Sequence, residues 1–306
     1  MISIKQMRYA LAVQRHLHFR KASEECAISQ SAMSSALQEM ESQLGFQVFE
    51  RDNKKVLITP LGERFLDKAR KVLVDVEDIM KIGAGRGSPL SGPLRMGMIP
   101  TIAPYLLPKL LSTLSAEYPA LELSVTEAQS QVVVDQVRRG ELDTAILALP
   151  YDCEGLLTFN FFGENFYWVA HENDEHAGQA VIQAEELRDS NLLLLGEGHC
   201  LKDHALEVCK LPRSSKHTLT ATSLQTLVQM VAGGMGSTLV PEIALEQLVA
   251  DNPRLICMPL DEPGPHRTLA FVVRPNYPVL DDIELIRTLI RSRVLPSLGV
   301  HDQTKT

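Results

Sequence analysis

No stretch of the sequence reaches the roughly 18 consecutive apolar residues that a membrane-spanning helix needs. The opening MISIKQMRYA carries no basic segment followed by a long apolar run, so neither export nor insertion is signalled; the expected location is the cytoplasm, with no membrane partner. Cysteine is scarce, with five residues (Cys26, Cys153, Cys200, Cys209, Cys257) at scattered spacings. An odd, scattered set suits a reducing compartment better than a disulfide framework. A thioredoxin-like CxxC is also missing, which removes the usual signature of a disulfide-exchange enzyme. Positive charge is in deficit, 30 Lys and Arg against 38 Asp and Glu, for a net charge of -8.

That deficit is uneven. Residues 1–90 hold 14 basic and 11 acidic side chains, which leaves 16 and 27 for the rest of the chain. A mildly basic N-terminal module on an acidic body is compatible with DNA binding, because only the docking face has to be positive. The 306 residues, 45% of them apolar, are enough for two or three domains with real cores.

The segment FRKASEECAISQSAMSSALQEMESQLG predicts one helix over Phe19–Cys26, a short turn through Ile28, and a second helix capped by Ser29 with Met33, Leu37 and Met40 on its buried face. Its spacing is that of a helix-turn-helix, whose second helix enters the major groove. The outward positions Gln30, Ser31, Ser34, Ser35 and Gln38 are short donors and acceptors suited to base edges and phosphates. A β-like stretch over Val48–Thr59 brings Arg51, Lys54 and Lys55 as phosphate contacts. The competing interpretation of the second helix is a plain solvated face.

Pro60 opens a longer helix in which Phe65, Ala69, Val72, Val76 and Ile79 recur at intervals of 4 and 3, with Leu66, Leu73 and Met80 every seventh residue beside them. Such a seam suits a partner helix, or else the chain's own body. The Gly, Ser and Pro cluster GAGRGSPLSGP that follows reads as a hinge. From Leu94 onward short apolar strands (LRMGMI, LELSVTEA, LDTAILAL, NLLLLG, HTLTAT, STLVPE, RTLAFVV) alternate with helices. This is α/β order, expected to form largely parallel sheets.

FRKAS, SQSAMSSALQEMESQLG, VFER and ITPLGERFL together resemble the N-terminal winged helix-turn-helix of LysR-type transcriptional regulators, and GPLRMG, TSLQTL and GGMGSTLVPE resemble that family's effector domain. The resemblance spans essentially the whole chain. It implies an α+β multi-domain fold: a winged helix-turn-helix over 1–59, a linker and dimerisation helix over 60–84, a hinge over 85–92 and an α/β regulatory domain over 93–300. That domain is expected to hold two Rossmann-like subdomains arranged as in periplasmic binding proteins, one from about 93–165 and 268–300, the other from 166–267. The expected class is a regulator and not an enzyme, needing no cofactor, binding double-stranded promoter DNA as a homodimer or homotetramer and recruiting RNA polymerase.

The stretch GEGHCLKDHALEVC places Cys200 after Gly-rich residues at an expected helix start and Cys209 nine residues later. A helix N-terminus and any nearby cation favour a thiolate. If 200–209 were one helix, its rise would separate the two Cα atoms by about 13 Å. A disulfide tolerates about 7 Å, so joining them requires unwinding. Zinc ligation by His199, Cys200, His204 and Cys209 is an alternative, although the spacings are not those of a common zinc motif; inert thiols beside a metabolite cleft are another.

Within the family, this stretch is similar to the redox segment of the hydrogen peroxide sensors, and GMIPTIAPYLLP, EAQS, LDTAILAL and PHRTL match them too. That similarity implies a peroxidatic Cys200, a resolving Cys209, a peroxide pocket of Thr101, Ser130, His199, Asp203 and Arg267, and reduction by thioredoxin or glutaredoxin. Ser130 stands where those proteins place Thr. A thiol peroxidase would need neither the DNA module nor the linker helix, and a solute-binding protein would lack the former.

Overall fold

The computed structural model describes residues 1–52, 55–84, 88–188, 190–210 and 220–300. Two compact units divide the chain, Met1–Gly83 and Ala84–Thr306.

In the first unit, α1 (Ile4–His16) begins at a capping box in which the Ser3 hydroxyl accepts the Gln6 N–H and the Gln6 side chain accepts the Ser3 N–H. The chain continues through α2 (Phe19–Glu25), a turn in which Ala27 adopts a left-handed φ of 53°, and α3 (Gln30–Leu44). Ser29 caps α3 by accepting the Ala32 N–H at 3.2 Å, and left-handed Gly45 ends it. Met33, Leu37 and Met40 are fully buried among Ala10, Val13, Phe19 and Ala22, each such large side chain contributing about 1.5–3 kcal/mol. The expected second helix and its buried face are therefore present.

Strands β1 (Phe49–Asp52) and β2 (Lys55–Ile58) pair antiparallel as a wing. The Glu41 carboxylate on α3 accepts the Val48 and Phe49 N–H groups at 2.8 and 3.0 Å, which fixes the wing to α3. Thr59 accepts the Gly62 N–H at 2.8 Å and donates to the Gln47 carbonyl at 2.7 Å, so one hydroxyl both caps α4 (Pro60–Ala84) and ties it to the wing. A Cβ on Gly62 would lie 2.2 Å from the Val48 carbonyl; the close crossing requires glycine. The apolar seam of α4 divides: Leu66 and Ala69 are buried in this unit, whereas Val72, Ile79, Met80 and Ile82 stay exposed.

In the second unit β3 (Gly92–Met98), α5 (Ala103–Glu117), β4 (Leu121–Glu127), α6 (Ser130–Arg138), β5 (Thr144–Leu149) and β6 (Leu157–Glu164) follow in order. Next come β7 (Phe166–His171), β8 (Leu194–Leu195), α7 (Cys200–Val208), β9 (Thr220–Ala221), α8 (Leu224–Ala232), β10 (Thr238–Pro241), α9 (Glu242–Leu248) and β11 (Leu255–Pro259). The chain then returns through β12 (Arg267–Val273) and α10 (Leu280–Leu289). One sheet has the order β4-β3-β5-β12-β6, a second the order β10-β7-β11, and β8 pairs with β9.

The expectation of largely parallel sheets holds for β4, β3 and β5 and for β8 with β9. It fails for β12, which runs antiparallel to both β5 and β6, and for the whole β10-β7-β11 sheet. A chain that leaves for a second lobe and returns enters the first sheet from the opposite end. Strands β6, β7 and β11 went unread in the sequence: β6 and β7 are separated only by Asn165 in one apolar run. Of the hinge cluster, residues 85–87 lie outside the described residues, as do residues 217–219 of the expected HTLTAT strand.

Candidate redox site and candidate nucleic-acid interface

Cys200 is the first residue of α7 and Cys209 its C-terminal cap, so the two thiols stand at opposite ends of one helix. Both are buried and neither is in a disulfide. The helical rise puts their Cα atoms about 13 Å apart. Burial dominates the electrostatics of Cys200 and pushes its thiol pKa up; Ser130, the Arg267 charge and a backbone contact from Ala148 oppose the rise, and Asp203 adds to it. The thiolate-favouring N-terminus expected from the sequence is thus outweighed by desolvation in the resting protein. Ser130 Oγ is buried beside the sulfur without closing a hydrogen bond of regular geometry, and no other described group partners it.

Arg267, at the start of β12, is fully buried. Its Nε donates to Glu164 Oε1 at 2.7 Å, its Nη1 to Thr101 Oγ1 at 3.1 Å and its Nη2 to the Thr101 carbonyl at 3.3 Å. The second Glu164 oxygen accepts the Ile243 N–H at 3.0 Å. Arg267 therefore reaches the site as half of a neutral buried ion pair that orients Thr101. Thr101 Oγ1 accepts from the guanidinium, which leaves its own proton for another acceptor.

His199 is buried as the residue before α7 and makes no side-chain cap; burial pushes its imidazole below the usual range. Asp203 differs from the other expected pocket residues, because its side chain lies on the exposed face of α7. Three residues outside the expected peroxide pocket belong to its surroundings, His204 having been weighed only as a zinc ligand. His204, buried one turn after Cys200, donates through Nε2 to the Pro150 carbonyl at 2.9 Å, and its Nδ1 has no described partner. Glu164 faces Arg267 across the β6–β12 register. Gln129 donates to the Glu197 carbonyl at 3.1 Å. A buried arginine signals that some carboxylate must meet it, but nothing local says which one. Among the described residues no group of three or more His, Cys, Asp or Glu side chains is placed to hold a metal ion, and no helix is long and apolar enough to cross a membrane.

In the first unit Gln30, Ser31, Ser35 and Gln38 are exposed on α3 and Ser34 is half-buried. Lys55 is exposed at the start of β2; Arg51 lies in β1 with its side chain outside the described set, and Lys54 is outside the described residues. The exposed part of the α4 seam, from Val72 to Ile82, is the face a second helix would cover.

A helix-turn-helix with a wing, a long helix with an uncovered apolar seam and a two-lobed α/β body define a class. Residues 4–63 match the bacterial regulatory helix-turn-helix of the lysR family, and residues 87–294 match the LysR substrate binding domain. The chain belongs to the LysR family, whose members are DNA-binding transcriptional regulators that oligomerise. Among its relatives, the transcriptional regulator EstR of Acinetobacter baylyi is 38% identical over 291 residues, 94% of this chain and 96% of that protein. The DNA-binding transcriptional dual regulator OxyR of Escherichia coli is 35% identical over 294 residues, 96% of each chain. A full-length OxyR variant from Pseudomonas aeruginosa superposes with a TM-score of 0.78 at 34% identity, covering 95% of this chain and 98% of that one. A hydrogen-peroxide-bound OxyR mutant from Corynebacterium glutamicum gives 0.65 at 32% identity, covering 97% and 96%.

Proposed function

We propose that this regulator senses hydrogen peroxide through Cys200 and switches by forming a Cys200–Cys209 disulfide. The observation that carries the reading is the placement of two buried thiols at the ends of one nine-residue helix, the first of them beside the Ser130 hydroxyl and within the field of Arg267. The sulfur of Cys200 attacks one peroxide oxygen, the O–O bond breaks, and the departing oxygen leaves as water, giving a sulfenic acid. Hydroxyl donors and a guanidinium favour the charge that develops on that oxygen; the uncommitted protons of Thr101 and Ser130 suit the role. Cys209 sulfur then attacks Cys200 sulfur and releases a second water. Peroxide is reduced to two waters and the dithiol loses two electrons.

Closing the bond needs the Cα atoms within about 7 Å, so α7 must unwind and the regulatory unit has two discrete states. The change passes to the DNA-binding units, the oxidised form recruits RNA polymerase at its promoters, and thioredoxin or glutaredoxin resets the thiols by exchange. Gln30, Ser31, Ser34, Ser35 and Gln38 are the proposed groove contacts, with Arg51, Lys54 and Lys55 on phosphates. The test is mass spectrometry of peroxide-treated protein, alkylated and digested without reduction, together with promoter binding by Cys200→Ser. A cross-linked Cys200–Cys209 peptide at low peroxide, with a Cys200→Ser protein that binds DNA and ignores peroxide, is expected. The match of residues 87–294 to the LysR substrate binding domain supports a second reading, a regulator answering a small molecule in its cleft; thiols still alkylatable after peroxide treatment would overturn the redox switch and favour that one.

A further inference from the structure

Gln129 immediately precedes Ser130 on the first lobe, and Gly198 precedes His199 and Cys200 on the second. One hydrogen bond joins these two segments, from Gln129 Nε2 to the Glu197 carbonyl at 3.1 Å. The carboxamide lies so flat on Gly198 that a Cβ there would be 2.4 Å from its Oε1, and Gly198 takes a left-handed φ of 87°. The backbone conformation favours glycine at this position, and a methyl there would have to push the carboxamide aside. Glu197 also pairs through its exposed side chain with Lys202 on α7. Ser130 and Cys200, the two groups that face each other inside, follow the two ends of this bond by one and by three residues.

The geometry points to Gln129 as a size-selective clasp on the thiol pocket. The side chain sets the separation between the segment that carries Ser130 and the one that carries Cys200. A hydroperoxide with two non-hydrogen atoms fits the closed form, and an oxidant bearing an alkyl group does not. The inference rests on the peroxide-sensing reading of Cys200 and adds its specificity; Gln129 touches neither the sulfur nor the oxidant and is not a catalytic residue.

The experiment measures second-order rates of Cys200 oxidation in the full-length protein, trapped as the sulfenic acid in a Cys209→Ser background, with hydrogen peroxide and with tert-butyl hydroperoxide. Wild type, Gln129→Ala and Gly198→Ala are compared, the last because its methyl must displace the carboxamide. Removing a steric filter of this size is expected to raise the tert-butyl hydroperoxide rate by about tenfold or more, with the hydrogen peroxide rate within about twofold and promoter binding intact. An unchanged ratio of the two rates in Gln129→Ala, or equal changes in both, would overturn the clasp alone. A wild-type Cys200 that neither oxidant touches would overturn the clasp together with the function it rests on.

Discussion

If the switch works by unwinding α7, its threshold must depend on how stable that helix is, and Glu207 allows a clean test. Glu207 lies in α7, is exposed, and uses its backbone carbonyl to accept the Lys210 N–H at 3.0 Å. Replacing it with Ala or with Gly removes the same charge and buries nothing new; the two variants differ in helix propensity alone, by about 1 kcal/mol. Gly weakens the reduced, helical state by that amount relative to Ala. The unwound oxidised state is barely affected, because no helix remains there for the residue to support.

Two magnitudes follow. With the helix lost before the sulfurs meet, disulfide closure in Glu207→Gly should be about fivefold faster than in Glu207→Ala, the rate equivalent of about 1 kcal/mol. At about 30 mV per 1.4 kcal/mol for a two-electron couple, the reduction potential of Glu207→Gly should be about 20 mV more negative. The first step, sulfenic acid formation at Cys200, should not distinguish them. Rapid-quench alkylation gives the closure rate, and equilibration with glutathione buffers gives the potential. Equal closure rates and equal potentials in the two variants would refute the claim that α7 must unwind.

Two further outcomes rest on buried charge. Removing the carboxylate in Glu164→Ala strands the buried Arg267 guanidinium, which should cost about 3–5 kcal/mol and lower the melting temperature by roughly 6–20 °C at 2–4 °C per kcal/mol; calorimetry showing a shift of under about 2 °C would refute the pairing. Burial depresses the imidazoles of His199, His204 and His266 below 6.5. Their contribution to stability is therefore present above that pH and is lost as pH falls through the lower folded values, so urea unfolding midpoints should drop between pH 7 and pH 5, and His204→Gln should drop less; an equal drop would contradict the assignment.

The parts of this protein that were legible in its sequence are those whose signals are local. Ser29 as a cap and the 4-and-3 spacing of Met33, Leu37 and Met40 fall within one helix, so α3 could be drawn before any fold was known. The mixed sheet could not. Strand β12 shows the same apolar run whichever way it enters, and its direction is decided by a chain path through a whole second lobe. The Arg267–Glu164 pair joins residues 103 positions apart, and any of 38 acidic side chains was a candidate until β6 and β12 were in register.

The thiol of Cys200 carries that lesson into the mechanism. Reasoning from sequence weighed the helix N-terminus and a nearby cation, both of which favour the thiolate. The fold adds two things that sequence does not contain: complete burial, and a carboxylate that already neutralises the cation. The result is a thiol whose pKa burial pushes up, beside hydroxyls whose protons are uncommitted. Raising the thiol pKa slows reaction with general electrophiles, and in the proposed mechanism a small oxidant beside Cys200 meets the Thr101 and Ser130 hydroxyls as donors for its departing oxygen. On the proposed function, selectivity then comes from the shape and donors around the sulfur more than from its basicity, and Gln129 and the Arg267–Glu164 pair that orients Thr101 matter to it as much as the cysteine itself.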